Sequence, residues 1–152
     1  MTKPVYIFDI DGTLADITHR LHYIKGKHVP GGPKPDWDAF HDAMKHDAPI
    51  CSVIKTAQMV GQHSDVILTT GRREEWRQET QEWMERHNVP VAELHMRQPG
   101  DFRPDYIVKR EAYEKYVKGY ADVVAVFAGR SRVVDMWRSI GLPCFQVAEG
   151  NY

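Results

Sequence analysis

Six residues constrain this chain more than any others. Phe8-Asp9-Ile10-Asp11-Gly12-Thr13 continues the apolar, β-rich run of residues 4–8. Such a run has the pattern of a buried central strand. Carboxylates at i and i+2 face the same side of an extended chain, and the glycine and threonine then turn it. At a strand end the two acids converge on one small volume. Two such groups can divide the work of phosphoryl transfer. One attacks phosphorus and forms an acyl phosphate; the other protonates the leaving oxygen and then activates water. A hard cation would neutralise the converging anions, and Mg²⁺ takes few protein carboxylates plus phosphate oxygens.

Four more segments share the strand pattern, at residues 65–70, 91–96, 122–127 and 143–148. Between them lie stretches with helical periodicity: 52–60, with Gly61 placed to end it; 74–87; 104–116; and 131–140, with Ser131 as N-cap and Gly141 as stop. Strands alternating with helices predict an α/β fold, a Rossmann-like parallel sheet with helices on both faces. Ligands bind beyond the carboxyl ends of strands in such sheets. Those ends carry Asp9, Thr70 and the turn at Ala128-Gly129.

Residues 15–49 break the alternation. The stretch holds Gly26, Pro30, Gly31, Gly32, Pro33 and Pro35, then a short helical pattern at 36–45. It is expected to be a small cap inserted after the first strand and lying over the strand ends. The 152 residues fit one domain over 1–152. The formal net charge of −1 argues against broad non-specific binding to duplex DNA. It leaves room for a local basic pocket that takes one phosphorylated end. Cys51 and Cys144 lie far apart and outside any metal-type spacing, so both are expected to be buried thiols suited to a reducing cytoplasm. The first sixteen residues lack the form of a secretory signal, and no stretch has the apolar length to span a bilayer. His19 and His22 are close together without an evident third metal ligand. Trp76 and Trp83, seven apart on one predicted helix face, could stack bases, but they have the spacing of a core stripe. Trp37, Tyr23 and Phe40 are better placed to touch a base.

Val66-Ile67-Leu68-Thr69-Thr70-Gly71-Arg72 ends a second strand in hydroxyls and a glycine. A hydroxyl and exposed backbone N–H groups there can bind phosphate oxygens, and Arg72 can clamp them in bidentate fashion. Taken alone, the threonine could equally cap a helix. Further on, Asp105 and Lys109 form an i,i+4 pair that would orient the ammonium group.

The DxDGT motif after a strand resembles the nucleophile motif of the haloacid dehalogenase superfamily. The resemblance implies Asp9 as nucleophile and Asp11 as general acid/base, with Mg²⁺ held by the Asp9 carboxylate and the Asp11 main-chain carbonyl. Thr70 and Lys109 match the family's phosphate-binding hydroxyl and its neutralising lysine. A finer similarity covers nearly the whole chain: DIDGT, TTGR, GDFRPDYIVK and VVDMWRSIG leading to QVA resemble the 3′-phosphatase domain of phage polynucleotide kinase-phosphatases. In that family Arg20, Arg72, Asp105 and Lys109 match positions that matter for activity, and Arg20 and Arg72 would contact substrate phosphate.

The chain departs from the family after the fourth strand. Two adjacent aspartates are usual there, and this chain has Ala128-Gly129 before Arg130. Asp122 sits at the wrong end of the strand, and Asp135 lies in the following helix. With one direct metal ligand fewer, Mg²⁺ should bind more weakly. The leading expectation is a Mg²⁺-dependent phosphatase acting on a nucleic-acid 3′-phosphate end or a nucleotide. The alternatives are a 5′-deoxynucleotidase and a non-catalytic phosphate-binding relative. The chain has no GxxxxGK[ST] loop, so any kinase would be a separate partner.

Overall fold

The computed structural model describes residues 3–27 and 29–152. Its strands are β1 (Lys3–Asp9), β2 (Ala15–Asp16), β3 (Ala48–Pro49), β4 (Asp65–Arg73), β5 (Glu93–Arg97), β6 (Ala121–Ala128) and β7 (Cys144–Gln146). Its helices are α1 (Trp37–Asp42), α2 (Cys51–Val60), α3 (Arg77–Arg86), α4 (Asp105–Tyr116) and α5 (Ser131–Ser139). Turns of 3-10 helix lie at Thr18–Tyr23, Ala43–His46 and Glu74–Trp76. Five strands form one parallel sheet in the order β5-β4-β1-β6-β7. The chain builds outward from β1 on one side, then returns to add β6 and β7 on the other. The fold is α/β, as the alternation of patterns implied.

Both faces of β1 are covered, which is why the strand is apolar throughout its middle. Alternate side chains go to opposite faces. Phe8 and Ile10 join a cluster with Val53, Ile54, Ala57, Trp83, Met84 and Phe40, contributed by α2, α3 and α1. Val5 and Ile7 join a second cluster with Val133, Val134, Met136 and Trp137 of α5. The stretch at 15–49 is tied at its base by the antiparallel pairing of β2 with β3.

Local details differ from the sequence expectations. Arg130, with extended backbone, takes the N-cap position of α5. Ser131 is the first helical residue, and its N–H donates to the Gly150 carbonyl. A serine one position later than the cap cannot reach back to the free N–H groups it would satisfy there. Gly61 ends α2 in a right-handed conformation (φ −66°), whereas Gly141, beyond α5, is left-handed (φ +88°). The 36–45 pattern divides into α1 and a 3-10 turn. Cys144 is buried, but Cys51 is exposed at the first turn of α2. Among the described residues, no helix is long and apolar enough to cross a membrane.

Trp137 is fully buried and meets the Tyr113 ring edge-on, with centroids 5.8 Å apart. Replacing it (Trp137→Ala) should cost about 3–5 kcal/mol in chemical denaturation. A loss below about 1 kcal/mol would place this side chain outside the core.

Candidate active site

β1 lies at the point where the strand order reverses, the position at which parallel sheets open a crevice at their carboxyl ends. Asp9 is the last residue of β1 and is buried. Its Oδ1 accepts the Ile10 N–H at 2.8 Å, and its Oδ2 accepts the Lys109 Nζ at 2.8 Å. Lys109 projects from α4, is itself buried, and lies 3.5 Å from Asp105 one turn earlier. Arg130 approaches Asp105 from the other side at 3.1 Å. Burial pushes the Asp9 carboxyl upward and outweighs the pull of Lys109. Burial would lower the Lys109 ammonium, but Asp9 and Asp105 together hold it above its ordinary value. Asp105 moves downward, because Lys109 and Arg130 outweigh its own burial.

Asp11 anchors a second group of charges. Its Oδ1 accepts hydrogen bonds from Arg72 (Nη2 2.6 Å, Nε 3.0 Å) and from Arg20 (Nη2 2.8 Å). Both guanidiniums are 0% exposed. An arginine keeps its charge in any such setting, so each needs an acid, and a second acid is present. Asp47 accepts two bonds from Arg20, at 2.8 and 2.7 Å, and one from Arg72 at 3.3 Å. His19 bonds the same carboxylate at 2.7 Å, and the Trp83 indole N–H donates to the Asp47 carbonyl at 2.9 Å. Burial alone would raise Asp11, but Arg72 and Arg20 hold it far below the usual carboxylate range.

The bend that brings Arg72 here is a bulge in β4. Thr69 pairs with His95 and Arg73 with Arg97, so four steps along β4 span two along β5. Bulges of this kind re-aim side chains beside active sites. The Thr70 hydroxyl accepts the Arg72 N–H at 3.1 Å, within the bulge. Thr69 pairs in register with Asp9, so their side chains share a sheet face, and its buried hydroxyl has no hydrogen-bond partner among the described residues.

Of the residues singled out in the sequence, Asp9, Asp105 and Lys109 therefore form one charge layer, and Asp11, Arg20 and Arg72 form another. Arg20 and Arg72, expected to reach substrate phosphate, are engaged instead with Asp11 and Asp47. Asp47 and Thr69 escaped sequence reasoning. Asp47 has no motif of its own, and the one available signal was that two arginines drawn into a core call for two acids. Trp76 and Trp83 do not share a core stripe. Trp83 is buried, whereas Trp76 sits partly exposed on the 3-10 turn before α3.

The acids present test the Mg²⁺ that the family resemblance implies. Among the described residues, no three His, Cys, Asp or Glu side chains come together to hold an ion. Ala128 is buried and contributes no donor. Gly129 lies so close to Gly12 that a β-carbon there would collide with the Gly12 carbonyl oxygen. The site is built around that glycine, not missing an acid it could readily regain. These donors fit an ion that keeps water and phosphate oxygens as most of its ligands. They do not form an all-protein cage.

The chain matches the family model described as polynucleotide kinase PNKP phosphatase domain over residues 3–152. It is 28% identical over 138 residues to a protein of Autographa californica nuclear polyhedrosis virus named "Putative bifunctional polynucleotide kinase/RNA ligase", covering 89% of this chain and 18% of that one. Superposition on a chain of the Pnkp1/Rnl/Hen1 RNA repair complex gives a TM-score of 0.82 at 28% identity, covering 99% of this chain and 44% of that one. A haloacid dehalogenase-like family hydrolase from Streptococcus pneumoniae shares the fold, with a TM-score of 0.61 at 12% identity over 95% of this chain and 84% of its own. The chain thus spans less than half the length of the kinase-related proteins it matches.

Two outcomes follow from the buried charges. Asp47→Asn would leave Arg20 and Arg72 short of one negative charge and should cost about 3–5 kcal/mol in denaturant unfolding; a change under 1 kcal/mol would show the ion pairs to be dispensable. Asp11 has a folded pKa below its unfolded one, so its contribution is full above about pH 4 and is lost as pH falls through the folded value. The gap in Tm between the parent and Asp11→Asn should therefore be constant from pH 8 to 5 and narrow below pH 4. A gap that widens in acid would contradict the assignment.

Proposed function

The chain belongs to the polynucleotide kinase PNKP phosphatase-domain family, and from that premise we propose that it removes the phosphate from a nucleic-acid 3′ end. The observation that carries this reading is the buried pair of Asp9 and Lys109 at the carboxyl end of the central strand. A carboxylate held there by one ammonium group is placed to attack an incoming phosphorus whose charge the same ammonium offsets.

In the first step an Asp9 carboxylate oxygen bonds to phosphorus as the bond to the leaving oxygen breaks. That oxygen takes a proton from Asp11, which is ionised beside Arg20 and Arg72 in the free protein and gains its proton as the arriving phosphate offsets their pull. In the second step Asp11 takes a proton from water, the hydroxide bonds to phosphorus, and Asp9 is released together with inorganic phosphate. Arg20 and Arg72 serve this cycle by fixing the Asp11 carboxylate, with Asp47 holding both arginines in place. Thr70 stabilises the bulge and offers its hydroxyl to phosphate. Residues 15–49 act as the cap over the crevice.

Family members of the haloacid dehalogenase type use Mg²⁺, and here the Asp9 carboxylate and the Asp11 main-chain carbonyl would hold it. When bound it would neutralise charge on the phosphate oxygens. Each layer already cancels its own charge: Asp9 and Asp105 against Lys109 and Arg130, Asp11 and Asp47 against Arg20 and Arg72. A phosphate would arrive with charge to spare, which supports recruitment of the ion together with the substrate.

The kinase and ligase names of the relatives support a role alongside other end-processing activities. The near-neutral net charge favours one second reading, a nucleotidase acting on free 5′-nucleotides. With Mg²⁺ present, phosphate release from a 3′-phosphorylated oligonucleotide should exceed that from a nucleoside 5′-monophosphate. Asp9→Asn should lower it about a thousandfold or more. Release from the 5′-nucleotide alone would favour the nucleotidase, and no release from either by folded protein would leave a phosphate-binding protein without turnover.

A further inference from the structure

We propose that Trp37, His41 and Trp76 form a stacking edge that takes the nucleobase next to the scissile phosphate. This rests on the phosphatase reading above and adds to it the part of the molecule that recognises a nucleic-acid end.

Asp11 decides the direction. An acid that protonates the leaving oxygen must face the group that leaves. The Asp11 side chain is 21% exposed, while Arg20, Arg72 and Asp47 beneath it are closed off. The leaving nucleoside therefore lies over the open side of Asp11. α1 is docked beside that acid. Arg20, bonded to Asp11, also donates to the Phe40 carbonyl at 3.2 Å, and its guanidinium lies 4.2 Å from the centre of the Phe40 ring. His41, the next residue, is near enough to Asp11, Arg73, Arg20 and Arg72 for each to act on its protonation.

Three rings form a row through His41. His41 is near-parallel to Trp37 (centroids 6.3 Å apart, planes 29° apart) and to Trp76 (6.1 Å, 26°). Burial, opposed by Asp11 and reinforced by the arginines, holds His41 at a pKa of about 4. The row is therefore uncharged at neutral pH, and the aromatic surface it offers is that of Trp37 and Trp76. Its ends come from segments far apart in sequence, and an Arg73–Asp38 ion pair of 2.7 Å joins them.

Exposure separates the two tryptophans from the core. His41 between them is buried, as are Phe40 and Trp83, but Trp37 keeps 44% of its surface exposed and Trp76 is only partly covered. Aromatic faces stack on any base with little sequence preference, worth roughly 1–3 kcal/mol per base. The expected recognition is of a base as such.

The test compares Trp37→Ala and Trp76→Ala with the parent on three substrates: a 3′-phosphorylated oligonucleotide, a nucleoside 3′-monophosphate and glycerol 2-phosphate, which has no base. For each variant the ratio of kcat/KM between base-bearing and base-free esters should fall about fivefold or more, chiefly through KM, and Trp37→Phe should recover most of it. Equal losses on all three esters, or no change, would overturn the stacking edge while leaving the phosphatase reading intact. A fall confined to the oligonucleotide would show that the edge serves a polymer end; a fall on both base-bearing esters would show that one base suffices. If no ester is turned over, quenching of tryptophan fluorescence by the 3′-phosphorylated oligonucleotide decides. Saturable quenching lost in Trp37→Ala upholds the edge without the phosphatase, and its absence from the parent overturns the edge.

Discussion

Two guanidiniums with no access to water govern this molecule. Arg20 and Arg72 cannot shed their charge, and an uncompensated charge in an interior costs several kcal/mol. The fold answers with Asp11 and Asp47, which together take six hydrogen bonds from the two arginines. Those bonds join the loop after β1, the bulge at the end of β4 and the stretch that precedes β2–β3 closure. The position of α1, the orientation of Asp11 and the seat of Trp83 against the Asp47 carbonyl all depend on them. The polar centre of the site is thus also the fastening of the inserted segment to the sheet.

Much of this was legible in the sequence. A carboxylate pair closing an apolar strand located the crevice, and the alternation of periods gave the sheet. The i,i+4 spacing of Asp105 and Lys109 anticipated their pairing. The unread part has a common physical cause. Arg20 and Arg72 present themselves in sequence as free cations, so a phosphate seems their natural partner. Their burial is set by tertiary packing, which assigns them to Asp11 and to an acid from an unpatterned turn. Thr69 was hidden similarly. Two adjacent hydroxyls in TTGR cannot be told apart until register places one of them opposite Asp9.

Ala128 and Gly129 take on a different meaning in three dimensions. As letters they are two absent acids. In the fold Ala128 packs among Val126 and Val133, and Gly129 admits the Gly12 backbone. The loop that presents Asp9 and Asp11 is held by backbone contact where relatives of the resembled type place charge. Backbone fills this edge of the crevice, and charge balance within each layer is kept without those acids.

The strand order has a consequence for how the protein is made. β1 is the first strand of the chain, yet its second neighbour, β6, is nearly the last. The lysine that pairs with Asp9 comes 100 residues after it. Pairings of such long range close late, because the chain entropy they cost is not recovered until the remote partner arrives. During synthesis β1 waits with one flank open, and Asp9 waits without its lysine. The Asp9–Lys109 pair comes into being only once α4 has docked, so an incompletely folded chain carries an apolar ribbon that ends in an unpaired acid.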